Sequence, residues 1–377
     1  MNSRCINFSP GPSALPLSVL QTAREELLNF SDTGMSVMEQ SHRGPVFEAI
    51  CQETLALIRE LCKLPQDYTV LLLQGGASLQ FAQVPLNFLG EGETASYLTH
   101  GLWGEKALAE ARIVAAARGA HIHLAAHTGI EQDGKFAYTR VPLPKETNIH
   151  PSSAFLHLTS NETVHGLQFE VDPEHPFPVC PGVPIACDMS SDFLSRPFDY
   201  TRFDLIYASA QKNIGPSGVG VVIVRNEWME KGRLDLPKIL QYRIQAQAGS
   251  LYHTPPTFAI YMMRQVLLWK KSVGGIEQIA AWNREKSSLI YQQIDRYPEL
   301  YRSSVERTSR SIMNVVFYLP TAALESAFLV EAKVHGMVGL RGHSRVGGIR
   351  VSLYNAIPVE WARTLSEFMG WFAENNG

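Results

Sequence analysis

Lys212 sits in "DLIYASAQKNIGPSGVGVVIV" (204–224), between an apolar run that ends at Ser209 and a second that begins at Val219. A strongly hydrated ammonium is out of place there, and a surface turn is the ordinary explanation. The alternative is an amine kept uncharged so that it can attack a carbonyl and form a Schiff base. Asp188 closes another apolar run, "VPIACD" (183–188), where a carboxylate needs a partner or hydrogen bonds. Taken alone, it reads as a cap on the following "MSSD" turn. "LLLQGGAS" places Gly75, Gly76, Ala77 and Ser78 where a strand turns into a helix. Free N–H groups, the helix dipole and the Ser78 hydroxyl would favour an anion there, although a helix start alone has the same look. The stretch lacks the lysine of a Walker A motif and the spacing of a dinucleotide fingerprint, so one phosphate fits better than a nucleotide.

These residues need a scaffold that brings strand ends together. "YTVLLL" (68–73), "AFLHLT" (154–159), "VPIACD", "DLIYAS" (204–209) and "VGVVIV" (219–224) are apolar without polar alternation, as strands buried on both faces are. Helical patterns alternate with them, from about Ser78 and over 104–119. The expected class is α/β: a large domain with a mostly parallel central sheet flanked by helices. Ligands of such sheets collect at the carboxyl ends of the strands. After about residue 256 the texture changes. "PPTFAIYMMRQVLLWKKSVGG" reads as a long helix opened by prolines and closed by glycines, followed by strands in 311–319 and 349–356 and helices over 322–335 and 358–374. We therefore expect a large domain over 17–262 and a smaller α+β domain over 263–377, joined by the N-terminal arm 1–16, with the boundary near Met262–Gln265.

On that scaffold one strand end presents a carboxylate, another an amine, and a helix N-terminus a phosphate cradle. Pyridoxal phosphate requires those three groups: a lysine for its aldehyde, an acid for its pyridine nitrogen and an anion site for its phosphate. Trp103, in "THGLWGEKA", offers a flat face for the ring, although a core tryptophan is the commoner use. Thr163, in "SNETVHG", offers a donor for the phenolic oxygen.

Composition limits the other classes. Of 377 residues, 45% are hydrophobic and 18% charged, which suits an ordinary globular chain. A formal net charge of −3 gives no reason to expect nucleic acid or an anionic membrane as partner. No apolar run approaches a bilayer span, and the first residues lack the apolar segment of a signal peptide. Five cysteines without C-x-x-C spacing argue against a disulfide framework and a zinc site, and for a reducing, cytoplasmic context.

Over nearly its whole length the chain resembles the phosphoserine aminotransferases, a family of class V, fold-type I pyridoxal-phosphate enzymes. The matching stretches are "NFSPGPSALP", "SVMEQSHRG", "QGGASLQFAQVPLNFL", "SNETVHGLQF", "DMSSDFLSRPFD", "YASAQKNIGPSGVGVVIV", "TPPTFAIYM" and "GHSRVGGIRVSLYNA". The resemblance implies that Lys212 carries the cofactor, Asp188 pairs with its ring nitrogen, Trp103 stacks on the ring and Thr163 meets its phenolic oxygen. It assigns the cofactor phosphate to Ala77, Ser78 and Gln211, with His253 and Thr254 reaching across from the partner subunit of a homodimer. His42, Arg43, His343 and Arg350 would hold the anionic groups of small-molecule substrates, glutamate and 3-phosphohydroxypyruvate. The four-carbon phosphohydroxy acid of the pyridoxine route is a candidate second substrate.

Two positions depart from the family's pattern. His253 stands where asparagine is usual, which adds a titratable donor. Ser344, in "GHSRVGG", stands where an arginine is usual, and the next residue is Arg345. Neighbouring residues on an extended strand face opposite ways, so Arg345 is not an automatic replacement. A cysteine desulfurase of the same class would need a nucleophilic cysteine in the C-terminal half, and the last cysteine is Cys187. The rival from another class is a protein that stores the cofactor without turnover.

Overall fold

Seven strands form the central sheet of the computed structural model, which describes residues 4–132, 135–173 and 175–376. From one edge the order is Tyr68–Leu73, Gly220–Arg225, Leu205–Ser209, Ile185–Asp188, Ser153–Thr159, Thr94–Thr99 and His121–His127. All run parallel except Gly220–Arg225, which is antiparallel to both neighbours. The unalternating runs follow from two apolar faces. Val70, Leu72, Ile206 and Ala208 enter one core, and Leu71, Leu73, Leu205 and Tyr207 enter the opposite one. Helices Pro45–Leu61 and Thr257–Ser272 cover the first face; Gly76–Phe88 and Leu102–Arg118 cover the second. This is the expected α/β class with a mostly parallel sheet.

Two strands escape a reading by apolar runs. Thr94–Thr99 buries Ser96 and Thr99, and the Ser96 hydroxyl is met by that of Ser153 at 2.6 Å. His121–His127 is an edge strand, with His121 and Leu124 exposed.

The helix after Tyr68–Leu73 begins at Gly76, two residues ahead of the expected Ser78. Gly75 and Gly76 adopt φ of +84° and +56°, which glycine accepts without strain. A Cβ on Gly76 would lie 3.0 Å from Ser209 Oγ. Its absence lets that hydroxyl accept from Ala77 N at 2.8 Å, which joins the helix start to the end of strand Leu205–Ser209.

The expected boundary at 262/263 falls inside helix Thr257–Ser272, whose Met263, Val266 and Leu267 belong to the core of the large sheet. After Gly274 and Gly275 a further helix, Gly275–Arg296, begins; Ile276 lies in the large core, whereas Ile290 and Ile294 lie in a separate one. We propose that the two domains divide within this helix. The second core gathers Phe8, Phe317, Phe328, Ile349, Val351 and Phe372 around the antiparallel pair Asn314–Phe317 and Ile349–Ser352. The N-terminal arm joins it through Ile6–Asn7, parallel to Met337–Val338. Among the described residues no helix is long and apolar enough to cross a membrane.

Candidate functional site

A cavity of about 290 Å³ opens at the carboxyl ends of Ile185–Asp188 and Leu205–Ser209. Ala77, Ser78, Trp103, Thr163, Asp188, Gln211, Lys212, His343 and Arg350 all line it. A larger groove of about 820 Å³ lies elsewhere, but its Lys63 and Lys271 are paired with Glu277 and Glu60. Size therefore does not decide the site; chemistry does.

Three lysines carry amines that burial pushes below the ordinary lysine range: Lys212, Lys270 and Lys286. Lys286 is wholly buried and donates to the carbonyls of Leu353 and Tyr354 at 2.9 and 2.8 Å, and Lys270 donates to Leu194 O at 3.3 Å. Those two tie chain segments together. Lys212, half-buried as the third residue of a short helix (Ala210–Asn213), instead faces the cavity. Its Nζ donates to Thr163 Oγ1 at 2.9 Å and stands 5.5 Å from the centre of the Trp103 ring. Asp188 and Glu162 pull its amine back upward, and desolvation outweighs them. A lysine so placed is suited to act as a nucleophile and proton carrier.

Burial likewise pushes the Asp188 carboxyl up, opposed by Lys212 and by the Ser190 N–H, which donates to Oδ1 at 2.8 Å. Ser190 Oγ in turn accepts from Ser209 N at 3.1 Å, so two strand ends and the start of helix Gly76–Phe88 form one hydrogen-bonded rim. Sequence reasoning did not assign Ser190 and Ser209, nor Pro10 and Gly11, which also line the cavity. Gly11 has φ +137°, and a Cβ there would touch Lys212 Cγ at 3.5 Å, so the arm passes close over the lysine. The sequence signal was the glycine within "FSPGPSALP".

The opposite wall is cationic. Arg350, on strand Ile349–Ser352, is 6% exposed, and its Nε lacks a partner. His343 lies beside it; burial and the Arg350 charge hold its imidazole below the usual range. Ser344 and Arg345 are both exposed in the turn that follows and do not line the cavity. Within one chain, the anion wall thus rests on His343 and Arg350. His42, Arg43, His253 and Thr254 also lie outside the cavity. His42 accepts from its neighbour Arg43 at 3.4 Å, and the Nδ1 of His253 is buried without a partner.

The donor set fits pyridoxal phosphate. The N-terminus of helix Gly76–Phe88 could take the phosphate with Ser78 and Gln211, Asp188 the ring nitrogen and Thr163 the phenolic oxygen. The indole Nε1 of Trp103 is buried without a hydrogen-bond partner, and the side chain lines the cavity where it could stack on the ring. Among the described residues no cluster of side chains could hold a metal ion.

Comparison with known proteins agrees with this geometry. The family model described as aminotransferase class-V matches residues 5–361. A phosphoserine aminotransferase of Halalkalibacterium halodurans is 47% identical, over 99% of each chain. One from Herpetosiphon aurantiacus is 46% identical over 98% of this chain and 99% of the relative. Among solved structures, phosphoserine aminotransferase from Bacillus circulans subsp. alkalophilus superposes with a TM-score of 0.92 at 46% identity, covering 99% of both chains. The PLP-bound phosphoserine aminotransferase of Trichomonas vaginalis gives 0.89 at 34% identity, over 97% of this chain and 100% of that one. The chain belongs to the class-V aminotransferases and, within them, to the phosphoserine aminotransferase family.

Proposed function

We propose that the protein transfers the amino group between L-glutamate and 3-phosphohydroxypyruvate, giving O-phospho-L-serine and 2-oxoglutarate, with pyridoxal 5'-phosphate as cofactor. The observation that carries this reading is Lys212: a depressed amine facing one cavity that holds a buried acid, a helix N-terminus and a buried arginine. Bound pyridoxal phosphate supplies an aldehyde for the lysine and an electron-withdrawing ring for the electron pair left at the substrate Cα. Lys212 Nζ moves the proton between the substrate Cα and the cofactor C4′. Asp188 holds a proton at the ring nitrogen, and Thr163 orients the phenolic edge. Trp103 covers one ring face and excludes water. His343 and Arg350 bind the anionic groups of the substrate through charge-assisted hydrogen bonds.

A substrate panel tests the reading. Glutamate should change the visible spectrum of the cofactor-loaded protein, and 3-phosphohydroxypyruvate should restore it. Hydroxypyruvate, which lacks the phosphate, should restore it with kcat/KM lower by roughly 10-fold or more, the loss of one charge-assisted contact. The four-carbon phosphohydroxy acid belongs in the same panel. A protein that stores the cofactor would show no change with glutamate, and equal rates with and without the phosphate would remove the proposed substrate.

A homodimer with shared sites accounts for the residues outside the cavity. Exposed Met35 and Met38 lie just before His42 and Arg43, and exposed Tyr252 just before His253. These apolar side chains are what an interface would cover. We expect Lys212→Ala and Arg43→Ala chains, each with little activity alone, to regain roughly a quarter of wild-type activity when co-expressed. Half of the dimers would be mixed, and each would hold one intact site. No regained activity, or a monomer by sedimentation, would rule out sharing. The thiols of Cys5, Cys51, Cys62, Cys180 and Cys187 are all free, which supports a reducing, cytoplasmic setting.

A further inference from the structure

Glu162 is wholly buried, yet it has no ion-pair partner among the described residues and does not line the cavity; it enters the chemistry above only through its charge on Lys212. Its carboxylate reaches back to the start of helix Leu102–Arg118, where Oε2 accepts from Trp103 N at 3.1 Å and Oε1 from Gly104 N at 2.8 Å. The helix has no cap of its own, because position 101 is glycine. That glycine is required by space: a Cβ on Gly101 would lie 2.4 Å from Glu162 Cδ. Glu162 is itself anchored, since Asn161–Glu162 pairs with Leu167–Gln168 in a short hairpin. The next residue, Thr163, accepts from Lys212 Nζ at 2.9 Å.

A serine at position 101 would cap the same N–H groups without burying a carboxylate. The arrangement found instead fastens the helix bearing Trp103 to the hairpin bearing Thr163. The direction of the Trp103 side chain follows from its backbone, so the bond at Trp103 N holds the point from which the indole projects into the cavity. We propose that Glu162 is a positioning residue: its carboxylate sets the tilt of the Trp103 ring against the cofactor and locks that ring to the Thr163 side of the cavity. The inference rests on the cofactor reading above.

Glu162→Gln tests it with almost no change in volume. An amide oxygen can accept from one N–H, but the NH2 group then faces the other. The expected result is a folded dimer whose induced visible circular dichroism, with pyridoxal phosphate bound, is clearly reduced. Its cofactor Kd, read by equilibrium dialysis, should rise by roughly 10-fold, the scale of one charge-assisted bond. kcat should fall while KM for phosphoserine stays within about 2-fold, as for an interaction that does not touch substrate. Gly101→Ala, which leaves the carboxylate but takes its place, should give the same dichroism change. In a Trp103→Ala background, Glu162→Gln should change the dichroism no further.

The inference is overturned if Glu162→Gln keeps wild-type dichroism and cofactor affinity. It is overturned equally if either single variant fails to fold or loses thermal stability alone, since Glu162 would then be a cap and nothing more. Failure of the wild-type protein to bind pyridoxal phosphate would instead overturn the cofactor reading.

Discussion

Lys212→Ala should leave a folded protein with no covalently held cofactor and almost no turnover. Burial lowers the amine's proton affinity against the pull of Asp188 and Glu162, which favours the free electron pair that the attachment needs. Removing it takes away both the attachment point and the group that moves the Cα proton. Turnover is expected to fall by roughly 10⁴-fold, the upper end of what a positioned acid–base group contributes. Borohydride reduction followed by peptide mass analysis reads the attachment directly, and a steady-state assay reads the rest. Lys270 and Lys286 serve as controls, since burial depresses their amines too but backbone carbonyls occupy them. Lys286→Met should lower the thermal midpoint and keep the visible spectrum. Cofactor fixed by borohydride to the Lys212→Ala chain, or a spectrum lost with Lys286→Met alone, would move the chemistry away from Lys212.

That contrast explains how much could be read without coordinates. Lys212 and Asp188 were legible because each follows an apolar run, and such runs become strands whose carboxyl ends converge. The Gly75–Gly76 turn was legible for its backbone needs, and only its start was misplaced, by two residues. Helix Gly275–Arg296 went unread because its buried face carries Asn283, Lys286 and Ser287 as well as isoleucines, which blurs the apolar period. Strand His121–His127 was hidden by its histidines at an exposed edge. Glu162 lies inside a quoted motif, but its partners are 58 and 59 residues away in sequence, and no local pattern announces a carboxylate capping a distant helix. His42, Arg43, His253 and Thr254 could be picked out by type and resemblance, whereas one chain alone does not bring them to the cavity.

Asp188→Asn should reduce kcat by roughly 10²–10⁴-fold, the 3–5 kcal/mol that breaking a buried charge pair costs. In the cofactor-free chain the carboxylate, 4% exposed, is supported by the Lys212 charge and by one bond from Ser190 N. With pyridoxal phosphate held in the cavity, the carboxylate would need a cationic partner at the ring. A proton at the ring nitrogen supplies it, and an asparagine amide gives that proton no reason to stay. The Ser190 N–H can still donate to the amide oxygen, so folding and cofactor retention should be nearly unchanged. Because the lost interaction strengthens as charge develops at Cα, the loss should appear in kcat, with KM for phosphoserine nearly constant. Asp192, four residues on and also buried, is the control. Its carboxylate accepts from Ser160 Oγ and from Gln168 Nε2 and does not line the cavity. Asp192→Asn should therefore cost stability and spare kcat. The reverse pattern, with Asp192→Asn crippling turnover and Asp188→Asn within about twofold of wild type, would assign the ring nitrogen's partner to the wrong carboxylate.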